Sequence, residues 1–74
     1  MDRAALERSL SLTEDNIAEC EQRIAKQREV IVELEAEHRD TTEQTLLLEA
    51  LHHLQCAYVT IRDRLRAELE TRQE

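Results

Sequence analysis

A chain of 74 residues with 17 acidic and 10 basic side chains, no glycine, no proline and a single aromatic residue, Tyr58, lacks the material for tight turns, sheet corners or an aromatic core. Sheet folds are nearly excluded, and the remaining Leu, Ala, Glu, Gln and Arg favour long amphipathic helices. The net charge of −7 and a pI near 4.9 argue against general affinity for nucleic-acid backbones or anionic lipid. No run approaches the roughly 18 apolar residues of a membrane span. Asp2, Arg3, Glu7, Arg8, Glu14 and Asp15 stand where a secretion signal would need an apolar stretch, so the expected location is cytoplasmic and any partner is expected to be a protein.

Helical periodicity begins at once. Leu6, Leu10, Thr13, Ile17, Cys20, Ile24, Gln27, Ile31, Leu34 and His38 recur at alternating spacings of four and three, a heptad pattern that marks one face of a helix over about residues 3–38. Ser11-Leu12-Thr13-Glu14 also reads as a capping box, but the heptad running through Leu6 and Leu10 favours one long helix over a start at residue 12.

The pattern changes phase after residue 38. Leu47, Leu51, Leu54, Tyr58, Ile61 and Leu65 form a second stripe, and on one straight helix the two stripes would lie roughly 160° apart. Asp40 or Thr41 can cap a new helix, with Glu43 or Gln44 three residues later to close a capping box. The fold expected is therefore all-α: one domain spanning 1–74, an antiparallel two-helix hairpin or coiled coil with a turn at about 39–41 and a second helix over about 41–72. A bent continuous helix is the alternative. Without glycine, the left-handed residue that commonly ends a helix falls to His38 or Arg39. Pairing about this turn opposes Leu34 to Leu47, Ile31 to Leu51, Gln27 to Leu54, Ile24 to Tyr58, Cys20 to Ile61 and Ile17 to Leu65.

The second helix is apolar over a wider arc than one partner covers, from Leu46 through Leu48, Ala50 and Ala57 to Ile61. A second copy would cover it and complete a four-helix bundle, with another helical protein as the other occupant. The interface residues expected are Leu47, Leu48, Leu51, Leu54, Tyr58, Val59 and Ile61.

Chemistry is thinly represented. His52 and Cys56 lie one helical turn apart, but two ligands are too few for a metal site, and Cys20 and His38 belong to the other helix's seam. Cys20 and Cys56 are expected as free thiols, since a disulfide would have to span about 7 Å along the axis. The carboxylates read as a solvated face with partners such as Glu19 to Arg23, and no glycine-rich phosphate loop can form. No catalytic residue, cofactor or metal is expected, and the chain does not read as an enzyme. Arg62, Arg64, Arg66 and Arg72 would gather near Arg3 and Arg8 at the open end of the hairpin, which makes RNA or DNA binding the alternative function. Asp63, Glu68, Glu70 and Glu74 interleave with that cluster and favour surface ion pairs instead.

The run Ile17-Ala18-Glu19-Cys20-Glu21-Gln22-Arg23-Ile24-Ala25-Lys26-Gln27-Arg28-Glu29, with Val32-Glu33-Leu34-Glu35, Asp40-Thr41, Leu54-Gln55 and Ile61-Arg62-Asp63-Arg64-Leu65, resembles a group of short alphaproteobacterial helical-hairpin proteins with no assigned function. The likeness spans about residues 6 to 70. That group places a glycine shortly before its Asp-Thr pair, and this chain does not. The resemblance implies a helical hairpin in a bacterial cytosol and brings no site residues with it. The function expected is a self-associating coiled-coil interaction or regulatory module.

Overall fold

The computed structural model describes residues 2–71, which form two helices, α1 (Arg3–Ala36) and α2 (Thr42–Thr71), packed antiparallel along most of their length. Helix α1 begins where Asp2, in extended conformation, accepts a hydrogen bond from the Ala5 amide at 2.7 Å. This is an N-cap, which satisfies one of the donors that every helix start leaves open. The helix then passes through Ser11 without a break. Thr13, within the Ser11–Glu14 stretch, donates its hydroxyl to the Ser9 carbonyl at 2.8 Å, as a residue inside a continuous helix does. The last residue expected in α2, Arg72, lies outside the described residues.

The first helix ends two residues earlier than its heptad suggested. The Arg39 amide donates to the Leu34 carbonyl at 2.9 Å and the His38 amide to that of Glu35 at 3.0 Å, a Schellman closure with His38 in the left-handed region at φ 58°. Histidine takes the place glycine usually holds, at a steric cost that this residue type tolerates better than most. Helix α2 starts on Asp40, whose carboxylate accepts from the Thr42 amide at 3.0 Å and the Thr42 hydroxyl at 2.7 Å. The expected capping box is not closed by Gln44, whose side chain is used across the hairpin instead.

On α1 the buried residues are Leu6, Thr13, Ile17, Cys20, Ile24 and Gln27, all on the expected stripe. On α2 the expected stripe is displaced. Leu47, Leu54 and Ile61 are 49%, 39% and 45% exposed, while Gln44, Leu48, Leu51, Gln55, Tyr58, Arg62, Leu65 and Leu69 form the partly covered set along the seam, with His52 and Val59 partly covered beside it. At about 100° per residue this set lies roughly 50° round the helix from the expected one.

The layers are displaced too. Gln27 donates to both the carbonyl and the side-chain oxygen of Gln44, at 2.9 and 2.8 Å, rather than meeting Leu54. The Cys20 thiol lies 3.5 Å from the Leu51 carbonyl and beside Leu54 and Tyr58, rather than opposite Ile61. Helix α2 is thus offset by about one heptad from the pairing drawn about residues 39–41. The turn explains this. The chain crosses between the helices at Glu37 and His38, so Arg39, Asp40 and Thr41 already run beside α1 before the first turn of α2 closes.

The molecule measures 58 × 14 × 14 Å with a radius of gyration of 16.9 Å. A globular chain of this length has a radius of about 11 Å. At 14 Å across, the hairpin is one helix pair thick, and no residue of α2 is buried.

Candidate interaction surface

The surface that stands out is built by the direction in which α2 turns its side chains. The seam against α1 takes Gln44, Leu48, Leu51, Gln55, Tyr58, Arg62, Leu65 and Leu69, and three of those eight are polar. Two are satisfied: Gln44 by Gln27, and Arg62 by Asp63 at 3.2 Å. Gln55 donates to Glu21 at 3.4 Å, but its Oε1 is buried with no hydrogen-bond partner among the described residues. Buried amides normally find partners for both ends. This layer is therefore held less tightly than the Gln27–Gln44 layer.

The flank of α2 beside that seam is apolar. Leu47, Ala50, Leu54, Ala57 and Ile61 follow one another at spacings of three and four, all exposed, with Leu46 beside them at 60% exposure. Alanine and cysteine neighbours are too short to shield them, in contrast to the Glu, Gln, Lys and Arg stems that flank the α1 stripe. Where this flank meets α1 it forms two shallow grooves. One, of about 310 Å³, lies between Lys26, Gln27 and Val30 on α1 and Leu47 and Leu51 on α2. The other lies between Asn16, Glu19 and Arg23 on α1 and Leu54 and Tyr58 on α2. The apolar flank of α2 and the Asn16–Val30 flank of α1 are thus parts of one continuous face.

Of the seven residues expected at an interface, Leu47, Leu54 and Ile61 lie open on this face. Leu48, Leu51, Tyr58 and Val59 are half-covered. Ala50 and Ala57 complete the stripe. Their spacing was visible in the sequence, but small side chains carry little weight in a hydrophobic pattern.

Three of the arginines drawn into the basic cluster have carboxylate partners. Arg66 pairs with Glu14 of α1 at 3.1 Å, Arg62 with Asp63, and Arg3 with Glu7 at 2.9 Å. The offset carries the end of α2 toward the start of α1, where Leu6 is 1% exposed. Arg72 and Glu74 lie outside the described residues.

Among the described residues no group of three or more His, Cys, Asp or Glu side chains is placed to hold a metal ion. His52 Nε2 lies 3.4 Å from Arg28 Nη2, and the exposed Cys56 lies apart from the seam. Both cysteines are free thiols. The heptad offset brings Cys20 close to the level of Cys56, so it is their directions, one into the seam and one outward, and not an axial gap, that separate them. Asp40 has its carboxyl held below the ordinary range, chiefly by the Thr42 hydroxyl and then by the Thr42 amide, which outweigh the opposing effect of desolvation, with the Thr41 amide adding least. No helix among the described residues is long and apolar enough to cross a membrane.

No protein-family model matches the chain, and neither a curated protein nor a solved structure does.

Proposed function

We propose that this hairpin is an interaction module of the bacterial cytosol that works by self-association, burying the apolar flank of α2 in a four-helix bundle. One observation carries the reading: α2 mixes Gln44, Gln55 and Arg62 with Leu48, Leu51, Tyr58 and Leu65 in its seam with α1 and leaves Leu47, Leu54 and Ile61 exposed. A helix that worked only as half of a monomeric hairpin would gain by rotating roughly 50° to bury those three side chains. Burying a Leu or Ile in full is worth about 1.5–3 kcal/mol. That rotation is not taken, and the arrangement becomes favourable when a further helix covers the flank. Contiguous apolar surface on a soluble chain is the usual mark of a protein-binding face.

The paired state of Arg66, Arg62 and Arg3 weighs against the nucleic-acid alternative, which needs cations presented without local carboxylates. The test is the solution mass. Sedimentation equilibrium at micromolar concentration should give about twice the 8.7 kDa chain mass, with a melting temperature that rises with concentration. An 8.7 kDa species with a concentration-independent melt overturns the reading.

A further inference from the structure

The exposed stripe on α2 reads the same way in both directions. Leu47 and Ile61 lie seven positions to either side of Leu54, and Ala50 and Ala57 lie four before and three after it. We propose that the partner on this face is a second copy of the chain, docked α2 against α2 in antiparallel orientation about a two-fold axis that passes at Leu54. The proposal rests on the self-association argued above and supplies its geometry.

A two-fold perpendicular to α2 at Leu54 brings Leu47 against Ile61 of the second copy and sets the two alanine positions opposite each other. Large side chains then alternate with small ones across the contact, which lets helices approach to the short end of the 8–10 Å range. The groove of about 310 Å³ beside Val30 and Leu47 lies where Ile61 of the second copy arrives.

Charge fixes the orientation. Glu43 stands at one end of the stripe and Arg64 at the other, both exposed, and neither makes an ion pair among the described residues. The antiparallel dimer puts each Glu43 beside Arg64 of the second copy. A parallel one would put like charges together, which disfavours it.

The same axis organises α1, which is an independent check. Leu54 shares a groove with Cys20, so the axis crosses α1 near Cys20 and Glu21. About that level the outer flank of α1 is also self-complementary. Leu12, which is 63% exposed, comes opposite Val30 of the second copy, and the Glu19–Arg23 pair, closed within α1 at 2.8 Å, comes opposite its own copy in reverse order. One two-fold thus satisfies an apolar edge between the α2 helices and a mainly polar edge between the α1 helices, closing a square four-helix bundle.

The area agrees with a partner of this size. The chain exposes 5617 Å², about 900 Å² more than the roughly 4,700 Å² of a compact monomer of its mass, and a standard interface covers about 800 Å² per subunit.

The test is cross-linking in a Cys56→Ser background, so that the exposed native thiol does not compete. Leu54→Cys should form a disulfide-linked dimer under mild oxidation, because a residue on the axis meets its own copy. Leu47→Cys should not link to itself, its two copies lying about 21 Å apart along the axis, but it should link to Ile61→Cys when the two variants are mixed. Self-linking of Leu47→Cys without linking of Leu54→Cys overturns the antiparallel geometry while leaving self-association standing. A wild-type monomer at every concentration overturns both.

Charge reversal supplies a second measurement on side chains too exposed to disturb folding. Glu43→Arg or Arg64→Glu should weaken dimerisation about three- to tenfold, and the double variant should restore it. Failure of the double variant to recover removes the Glu43–Arg64 pairing.

Discussion

Helices α1 and α2 are close in length, 34 and 30 residues, and face each other across one seam, yet α1 buries six residues and α2 none. The difference lies in the width of their apolar faces. The stripe on α1 is one residue wide, with β-branched Ile17, Ile24 and Ile31 on its axis and long polar stems to either side that close over it. On α2 the apolar arc runs from Leu48 and Leu51 across Leu54 to Leu46 and Ala50, more than one helix can cover. A narrow face defines one interface. A broad face is divided between two, and in the hairpin only one of its edges is engaged.

The sharpest way to break this comparison is to truncate one residue on each helix. Ile24→Ala removes side-chain atoms from a site only 7% exposed and should cost about 2–5 kcal/mol at any protein concentration. Leu54→Ala at a dilution where the chain is monomeric should cost less than about 1 kcal/mol. At high concentration its cost should grow, because there the flank is covered. Urea melts of both variants at two concentrations measure the four numbers. Equal costs for the two variants at high dilution would show that Leu54 belongs to the hairpin core after all.

The contrast also explains what could be read from residues alone. The α1 stripe was legible throughout, since a narrow stripe has one direction in which to point. The break near Asp40 was legible because capping chemistry coincides there with a change of phase, and His38 was one of the two residues available for the left-handed turn position. The facing of α2 was not legible. Periodicity finds the middle of an apolar arc, so it selected Leu47, Leu54 and Ile61, which lie between the edge that meets α1 and the edge that meets nothing. The polar residues that occupy the seam, Gln44, Gln55 and Arg62, lower its apparent hydrophobicity and hide it. The register offset was hidden for a different reason: it depends on which residue takes the left-handed turn position and on where the chain then joins α2, and the sequence offered both His38 and Arg39 for that position.

The Gln27–Gln44 layer sharpens the question of register. Gln27 is buried and its amide donates twice to Gln44. Gln27→Ala leaves that carbonyl and amide short of a donor and should destabilise the hairpin by about 1–2 kcal/mol. If the helices instead kept the pairing of Gln27 with Leu54, the substitution would cost little and Leu54→Ala would cost more. A thermal melt of the two single variants and their double decides between the registers, since only partners in contact give non-additive losses.

At the turn, His38→Gly should stabilise the hairpin by about 1 kcal/mol, because glycine reaches φ 58° without the crowding of a Cβ. The gain is set against the greater freedom glycine gives the unfolded chain. A fall in melting temperature would mean that the His38 side chain, and not only its backbone, holds the turn.

The smallest effect expected is the pH dependence of Asp40, which tests whether α2 is anchored at its first turn. The Thr42 hydroxyl, the Thr42 amide and the Thr41 amide all favour the charged carboxylate, so its pKa in the hairpin lies below the value in the unfolded chain, about 3.9. A group with a depressed folded pKa binds protons more readily when unfolded, so folding stability rises with pH through that interval. The contribution of Asp40 is therefore complete above about pH 4 and is lost as pH falls through the lower, folded value. Many other carboxylates titrate in the same range, so the measurement must be a difference. Melting temperatures of the wild type and of Asp40→Asn, followed from pH 6 to pH 2, should differ at the upper end and converge at the lower. Since Asp40 is fully exposed, added salt should narrow the gap without removing the bonds to Thr42 that cause it. A difference that stays constant across the whole range would mean that the side chain caps α2 equally well when neutral, and that its charge contributes nothing to holding the helix start.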